Sequence, residues 1–234
     1  MDPYRRAFVD VLHTLQNAML AAGRPAGVRL LAVAKTQSAE AIAALAGLGQ
    51  QAFGENYVQE ARAHQAELGD AAATLEWHLI GHLQSNKARE AAIAFDWVQT
   101  VDRIKLVDAL ARHRPPELAP LNVLVQVNID DEASKHGCRP EDVAQLADAI
   151  AVHPRLALRG LMAIPAPDPD MARRRQAFAR MKAVFDQLRR THPQVDTLSM
   201  GMSGDFALAI AEGATMVRIG TALFGARDRS PPPA

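Results

Sequence analysis

Short runs of β-branched and apolar residues alternate with longer stretches of helical periodicity along nearly the whole chain. A strand that runs parallel to its predecessor needs a crossover of that kind. The pairs read "LLAVAKT" with "SAEAIAALAGLG", "QAFGEN" with "YVQEARAHQAELGD", "EWHLIG" with "LQSNKAREAAIA", and "WVQTVD" with "RIKLVDALARH". They continue with "LNVLVQVNID" and "PEDVAQLADAIAVH", "LALRGLMAI" and "MARRRQAFARMKAVFDQLRRTH", "TLSMG" and "SGDFALAIAEG", and finally "TMVRIG" before "TALFGA". The count is about eight βα units, the number that closes a TIM barrel. An open doubly wound sheet is the competing architecture, but no G-x-G-x-x-G turn follows the first strand. The expectation is a single (β/α)8 TIM barrel over residues 1–228, preceded by an amphipathic helix in "MDPYRRAFVDVLHTLQNAMLAAG", with a flexible tail at 229–234 in "RSPPPA".

Composition narrows the partners. Lys plus Arg and Asp plus Glu number 26 each, so no net field draws the chain to nucleic acid or to an anionic membrane. The basic stretch "ARRRQAFARMKAVFDQLRR" interrupts an apolar stripe as a solvated helix face does. No apolar run approaches the ~20 residues that span a bilayer. The single cysteine, Cys138, excludes an internal disulfide framework and points to a cytoplasmic setting. It has no paired histidine in its segment, which argues against a catalytic thiol. His78 and His82 have the spacing of helical metal ligands but straddle a strand end and a loop, so no metal is expected.

In a barrel the C-terminal ends of the strands surround the site, and Lys35, Asn56, His78, Asn128, Met162, Met200 and Arg218 fall there. Lys35 closes an apolar run. Desolvation disfavours its ammonium form and leaves an amine able to attack a carbonyl; the bland alternative is a lysine snorkelling out at a strand end. "MGMSGDFALAIAEG" and "MVRIGTALFGA" follow the seventh and eighth strands, where barrels commonly hold phosphate. Ser203 is expected to cap a helix beginning near Gly204 and to offer its hydroxyl to a phosphate, with Gly220 and Thr221 completing the cradle. An amine at one side and a phosphate cradle at the other suit pyridoxal 5′-phosphate, and they suit a phosphosugar aldolase as well. Arg218 favours the cofactor, because a guanidinium donates to a pyridine nitrogen and cannot accept from it. A salt-bridged arginine in the barrel core is the alternative.

The stretches "LLAVAKT", "FGENYVQE", "EWHLIGHLQSNK", "LNVLVQVNI", "LRGLMAIP", "TLSMGMSGD" and "MVRIGTALFGAR" resemble the YggS/PROSC family of pyridoxal phosphate homeostasis proteins, from about Leu12 to Asp228. The resemblance implies the barrel of the alanine racemase N-terminal domain and a Schiff base on Lys35. It implies a phosphate held by Ser203, Gly204, Gly220 and Thr221, Arg218 at the pyridine nitrogen, and Asn56 beside the cofactor. Met200 and Met162 pack near the ring or serve as barrel core; His78 and Lys135 are secondary candidates. The implied function is intracellular buffering or delivery of the cofactor by a monomer, with apo pyridoxal phosphate enzymes as transient partners and without efficient turnover. A racemase or lyase on the same barrel is the alternative. Many relatives carry a second lysine where this chain has Gln37, which puts any role of that amine in doubt. Two-base racemisation is disfavoured because the only tyrosines are Tyr4 and Tyr57, neither an obvious donor.

Overall fold

Eight parallel strands hydrogen-bond in the order in which they occur, and the last closes on the first. The computed structural model describes residues 3–24, 27–130, 136–165 and 169–225. The strands are β1 (Arg29–Val33), β2 (Ala52–Glu55), β3 (Glu76–Leu79), β4 (Trp97–Val101), β5 (Leu121–Val127), β6 (Leu156–Ala163), β7 (Thr197–Ser199) and β8 (Met216–Ile219). Helix α1 (Pro3–Ala21) precedes the barrel. The crossovers are α2 (Ala39–Gly47), α3 (Val58–Leu68), α4 (Ala88–Ala94), α5 (Ile104–His113), α6 (Val143–Ala151), α7 (Met171–Thr191) and α8 (Phe206–Ala211), and α9 (Thr221–Phe224) follows β8. The barrel and its added N-terminal helix are those the alternating pattern implies. The tail expected at 229–234 lies outside the described residues.

The local causes are visible in the residues. Every residue of β4 is buried, as a strand covered on one face by helices and on the other by the lumen must be. Helix α5 turns Leu106, Val107 and Leu110 inward and ends on Arg112 and His113, whose charge complements the helix C-terminus. Ser38 starts α2 by accepting a hydrogen bond from Ala41 N at 3.3 Å. Helix α1 lies against α2, α8 and α9 through buried Phe8, Val11 and Leu15, and so braces the segments that follow β7 and β8.

Side chains that meet across the barrel identify the lumen. Gln99 of β4 reaches Met216 Sδ of β8 at 3.2 Å and accepts from Ser199 Oγ of β7 at 2.7 Å, although β4 is the neighbour of neither strand. Around this polar centre pack one apolar group containing Leu31, Val33, Ile80 and Met216 and another of Trp97, Leu124 and Met162. The lumen is therefore a filled core, and any open site must lie at its ends.

Candidate functional site

A cavity of about 470 Å³ opens where the strands end, within the size range of small-ligand sites. Lys35 stands two residues beyond β1, in a turn closed by Gln37 N donating to Ala34 O at 2.9 Å. Thr36 in that turn has φ 62°, the left-handed region that β-branched residues avoid, so the surrounding structure must hold it there. Asn56 follows β2 and lines the same wall. Across the opening are Arg218 of β8 and the turns carrying Ser203, Gly204, Gly220 and Thr221. A Cβ on Gly220 would come within 3.2 Å of Val33 O, a tight contact that would push the eighth strand's turn a few tenths of an ångström from the end of β1.

Ser203 does not cap a helix. Helix α8 begins at Phe206, and Asp205 Oδ1 accepts from Met202 N at 2.7 Å instead. The chain turns once more before it can coil, which leaves Ser203 and Gly204 in the cavity wall. Four further candidates are absent from that wall, among them Asn128, which follows β5 and whose N–H donates to Cys138 O at 2.8 Å. Met200 and Met162 are fully buried, Met162 packing with Trp97 and Leu124 in the lumen. His78 is fully buried and stacks on Trp97 with ring centroids 5.1 Å apart. Met162 and His78 sit one layer below the rim, where their side chains meet other strands in the lumen, whereas Met200 follows luminal Ser199 and packs in the core on the other face of the barrel wall. Lys135 lies outside the described residues.

Arg218 is 3% exposed, and among the described residues no carboxylate pairs with it. It donates to Ser199 Oγ at 2.7 Å and to Ala163 O at 2.8 Å. Burial lowers its pKa to about 10, with the charge of Asp205 opposing, so it stays cationic at neutral pH. Because a guanidinium can only donate, every bond below it has a fixed sense. The Ser199 hydroxyl passes its proton toward Gln99 Oε1 at 2.7 Å, Gln99 Nε2 donates to His78 Nδ1 at 2.9 Å, and His78 Nε2 donates to Glu76 Oε1 at 2.6 Å. Glu76 meets Arg29 at 2.5 Å at the other end of the barrel. His78 is thus a neutral imidazole protonated on Nε2, and its burial keeps its pKa low.

Other residues at the site escape a reading by motif. Glu55 ends β2 with no exposure, and His64 of α3 bridges its Oε1 at 2.8 Å to the carbonyl of Gln37 at 2.9 Å. A glutamate inside the apolar run "QAFGEN" was the available signal. His82 and His136 line the cavity mouth with their rings stacked at 3.7 Å, and their ring nitrogens lie within 4.8 Å of a carboxylate oxygen of Asp102. Stacked imidazoles direct their in-plane lone pairs side by side, and Arg103 already holds Asp102 Oδ1, so this group is not arranged to converge on an ion. Cys138 is buried and its thiol is pushed up to about 12 by that burial, which removes it as a nucleophile.

The profile of the family described as "Alanine racemase, N-terminal domain" matches residues 10–228. A Pseudomonas aeruginosa protein named pyridoxal phosphate homeostasis protein is 53% identical over 233 residues, covering 99% of this chain and 99% of that one. One of the same name from Escherichia coli is 50% identical over 234 residues, covering 98% and 99%. The solved structure of PipY from Synechococcus elongatus with PLP bound is similar at a TM-score of 0.78 and 39% identity, over 90% of this chain and 98% of that one.

Proposed function

The chain belongs to the alanine racemase N-terminal-domain family and, within it, to the pyridoxal phosphate homeostasis proteins; from that premise we propose that it holds pyridoxal 5′-phosphate as a Schiff base on Lys35 and buffers or delivers it inside the cell. The observation that carries this reading is the convergence of Lys35, Arg218 and the turns of Ser203, Gly204, Gly220 and Thr221 on one cavity.

The donor set fits the group. Ser203 and Thr221 offer hydroxyls to a phosphate, and the glycine beside each leaves room for its oxygens to approach backbone N–H groups. Arg218, buried and able only to donate, suits an unprotonated pyridine nitrogen. Asn56 flanks the same space. The cofactor supplies, when bound, an aldehyde carbon to which an amine can link with loss of water. The protein's part is to present the Lys35 amine, fix the two ends of the ligand and keep the floor of the cavity dry.

A role in carrying the cofactor, with little turnover, is supported by the names of the relatives and by the tyrosines. The chain's two, Tyr4 and Tyr57, are not among the residues that line the cavity. We further propose that the protein acts in the cytoplasm, a reading supported by its single cysteine, which is buried and free, and that it acts as a monomer. Among the described residues no helix is long and apolar enough to cross a membrane.

Borohydride reduction of the protein loaded with the cofactor, followed by peptide mapping, tests the attachment: the mass label is expected on Lys35 and absent from Lys35→Ala. A label spread over surface lysines, or equal labelling of the variant, overturns the site. Delivery is tested by the rate at which apo pyridoxal phosphate enzymes regain activity, which is expected to exceed that with an equal amount of free cofactor. Deuterium incorporation at the α-carbon of alanine in heavy water, at a rate useful per site, would make the protein an enzyme instead.

A further inference from the structure

The backbone outlier beside Lys35 has a buried tether. The Gln37 carbonyl accepts from His64 Nε2 at 2.9 Å, and a carbonyl cannot donate, so Nε2 carries a hydrogen. The opposite ring nitrogen, Nδ1, lies 2.8 Å from Glu55 Oε1, and a bond there requires one more proton, on the carboxyl or on the ring. Glu55 has no exposure, and its Oε2 has no hydrogen-bond partner among the described residues. A bare carboxylate there is costly.

We propose that His64, held by Glu55, is a positioning residue for Lys35: it fixes the turn from Ala34 to Gln37 in its strained form and so aims the lysine into the cavity. The significance for the cofactor rests on the reading of Lys35 given above; the tether itself does not. The tether requires the shared proton. Without it the ring has a single N–H, which goes to the charged carboxylate as the stronger acceptor, and the Gln37 carbonyl is left facing a lone pair. Burial pushes Glu55 up to about 7, against the hydrogen bond and charge of His64 and with Glu60 adding to the rise, which places the loss of that proton near neutrality. The other charged or titratable groups on the packed elements are Arg62 and Glu67 on α3, Asp70 in the turn at 69–74 that packs on α3, Glu40 on α2, Arg89 and Glu90 on α4, Arg29 on β1 with Lys35 beyond it, and Glu76 and His78 on β3.

Glu55→Gln separates this role from simple packing, because an amide donates to Nδ1 at every pH and locks the ring in the tethering tautomer. Amide hydrogen exchange over residues 35–37 is measured on the cofactor-free protein between about pH 6 and pH 9, corrected for intrinsic rates. The native protein is expected to lose about tenfold in protection across that range, and Glu55→Gln to keep it. His64→Gln, which retains a donor without titrating, should also give a flat, protected profile, and His64→Leu a flat, unprotected one. If His64→Leu does not fold, the two glutamine variants decide alone. Equal protection in the native protein and His64→Leu, or an unchanged pH profile in Glu55→Gln, overturns the proposal. Rates of Lys35 labelling by trinitrobenzenesulfonate, expected to follow the exchange profile, extend the test to the amine. A protein that shows this profile yet never attaches pyridoxal 5′-phosphate at Lys35 would sink the cofactor reading and leave the tether standing.

Discussion

Gly81 shows how closely the site's walls are fitted at the scale of single residues. A Cβ there would fall 2.1 Å from Asn56 O, a backbone atom that cannot swing aside. Gly81→Ala is therefore expected to destabilise by about 2–3 kcal/mol and to displace Asn56 from the cavity, read as a lower denaturant midpoint and weaker retention of the cofactor. Lys35, Arg218 and the glycine and hydroxyl turns were legible in sequence because each breaks a rule: charge ending an apolar run, or glycine where a strand should continue into a helix. Met200 was not, because it follows luminal Ser199 and so packs on the helix side of the barrel wall, and neither were Met162 and His78. A strand reveals which side chains share a face, but a step of two residues, roughly 7 Å, separates the rim from the filled layer beneath it. Nothing in an apolar pattern marks that depth.

At the scale of elements, β3, β4, β7 and β8 are joined through the lumen by the hydrogen bonds linking Arg218, Ser199, Gln99, His78 and Glu76. Gln99→Leu leaves a hydroxyl proton and an imidazole nitrogen unpaired in a site without exposure, and is expected to cost about 2–4 kcal/mol by chemical denaturation. Burial pushes Glu76 up, but the hydrogen bond from His78 and the charge of Arg29 outweigh it and hold the carboxyl at about 2. A carboxyl lowered on folding contributes stability that is present above its unfolded value of ~4.5 and lost as the pH falls toward 2. Glu76→Gln should therefore flatten the acid limb of the stability curve, removing on the order of 2 kcal/mol at neutral pH and little at pH ~2. These strands were legible as strands. Their cross-lumen bonds were not, since pairing between β4 and β7 joins residues 100 positions apart with no local trace.

For the whole molecule the barrel followed from the alternation of elements, since few closed topologies accept about eight βα units in order. What that pattern could not supply is the charge state of the interior. Glu55 is shifted the opposite way to Glu76, up to about 7 by burial, so the folded chain holds a proton there that the unfolded chain releases near ~4.5. Its linked stability is full below ~4.5 and is lost as the pH rises through about 7. Thermal unfolding followed across that range should show the native protein losing on the order of 2–3 kcal/mol to this group, and Glu55→Gln losing far less. The column of bonds beneath Arg218 has one more consequence. An amide accepts at oxygen and donates at nitrogen without handing a proton between them, and a guanidinium accepts none. Gln99 and Arg218 therefore break this column as a proton path, so it carries no proton between the cavity and the far end of the barrel.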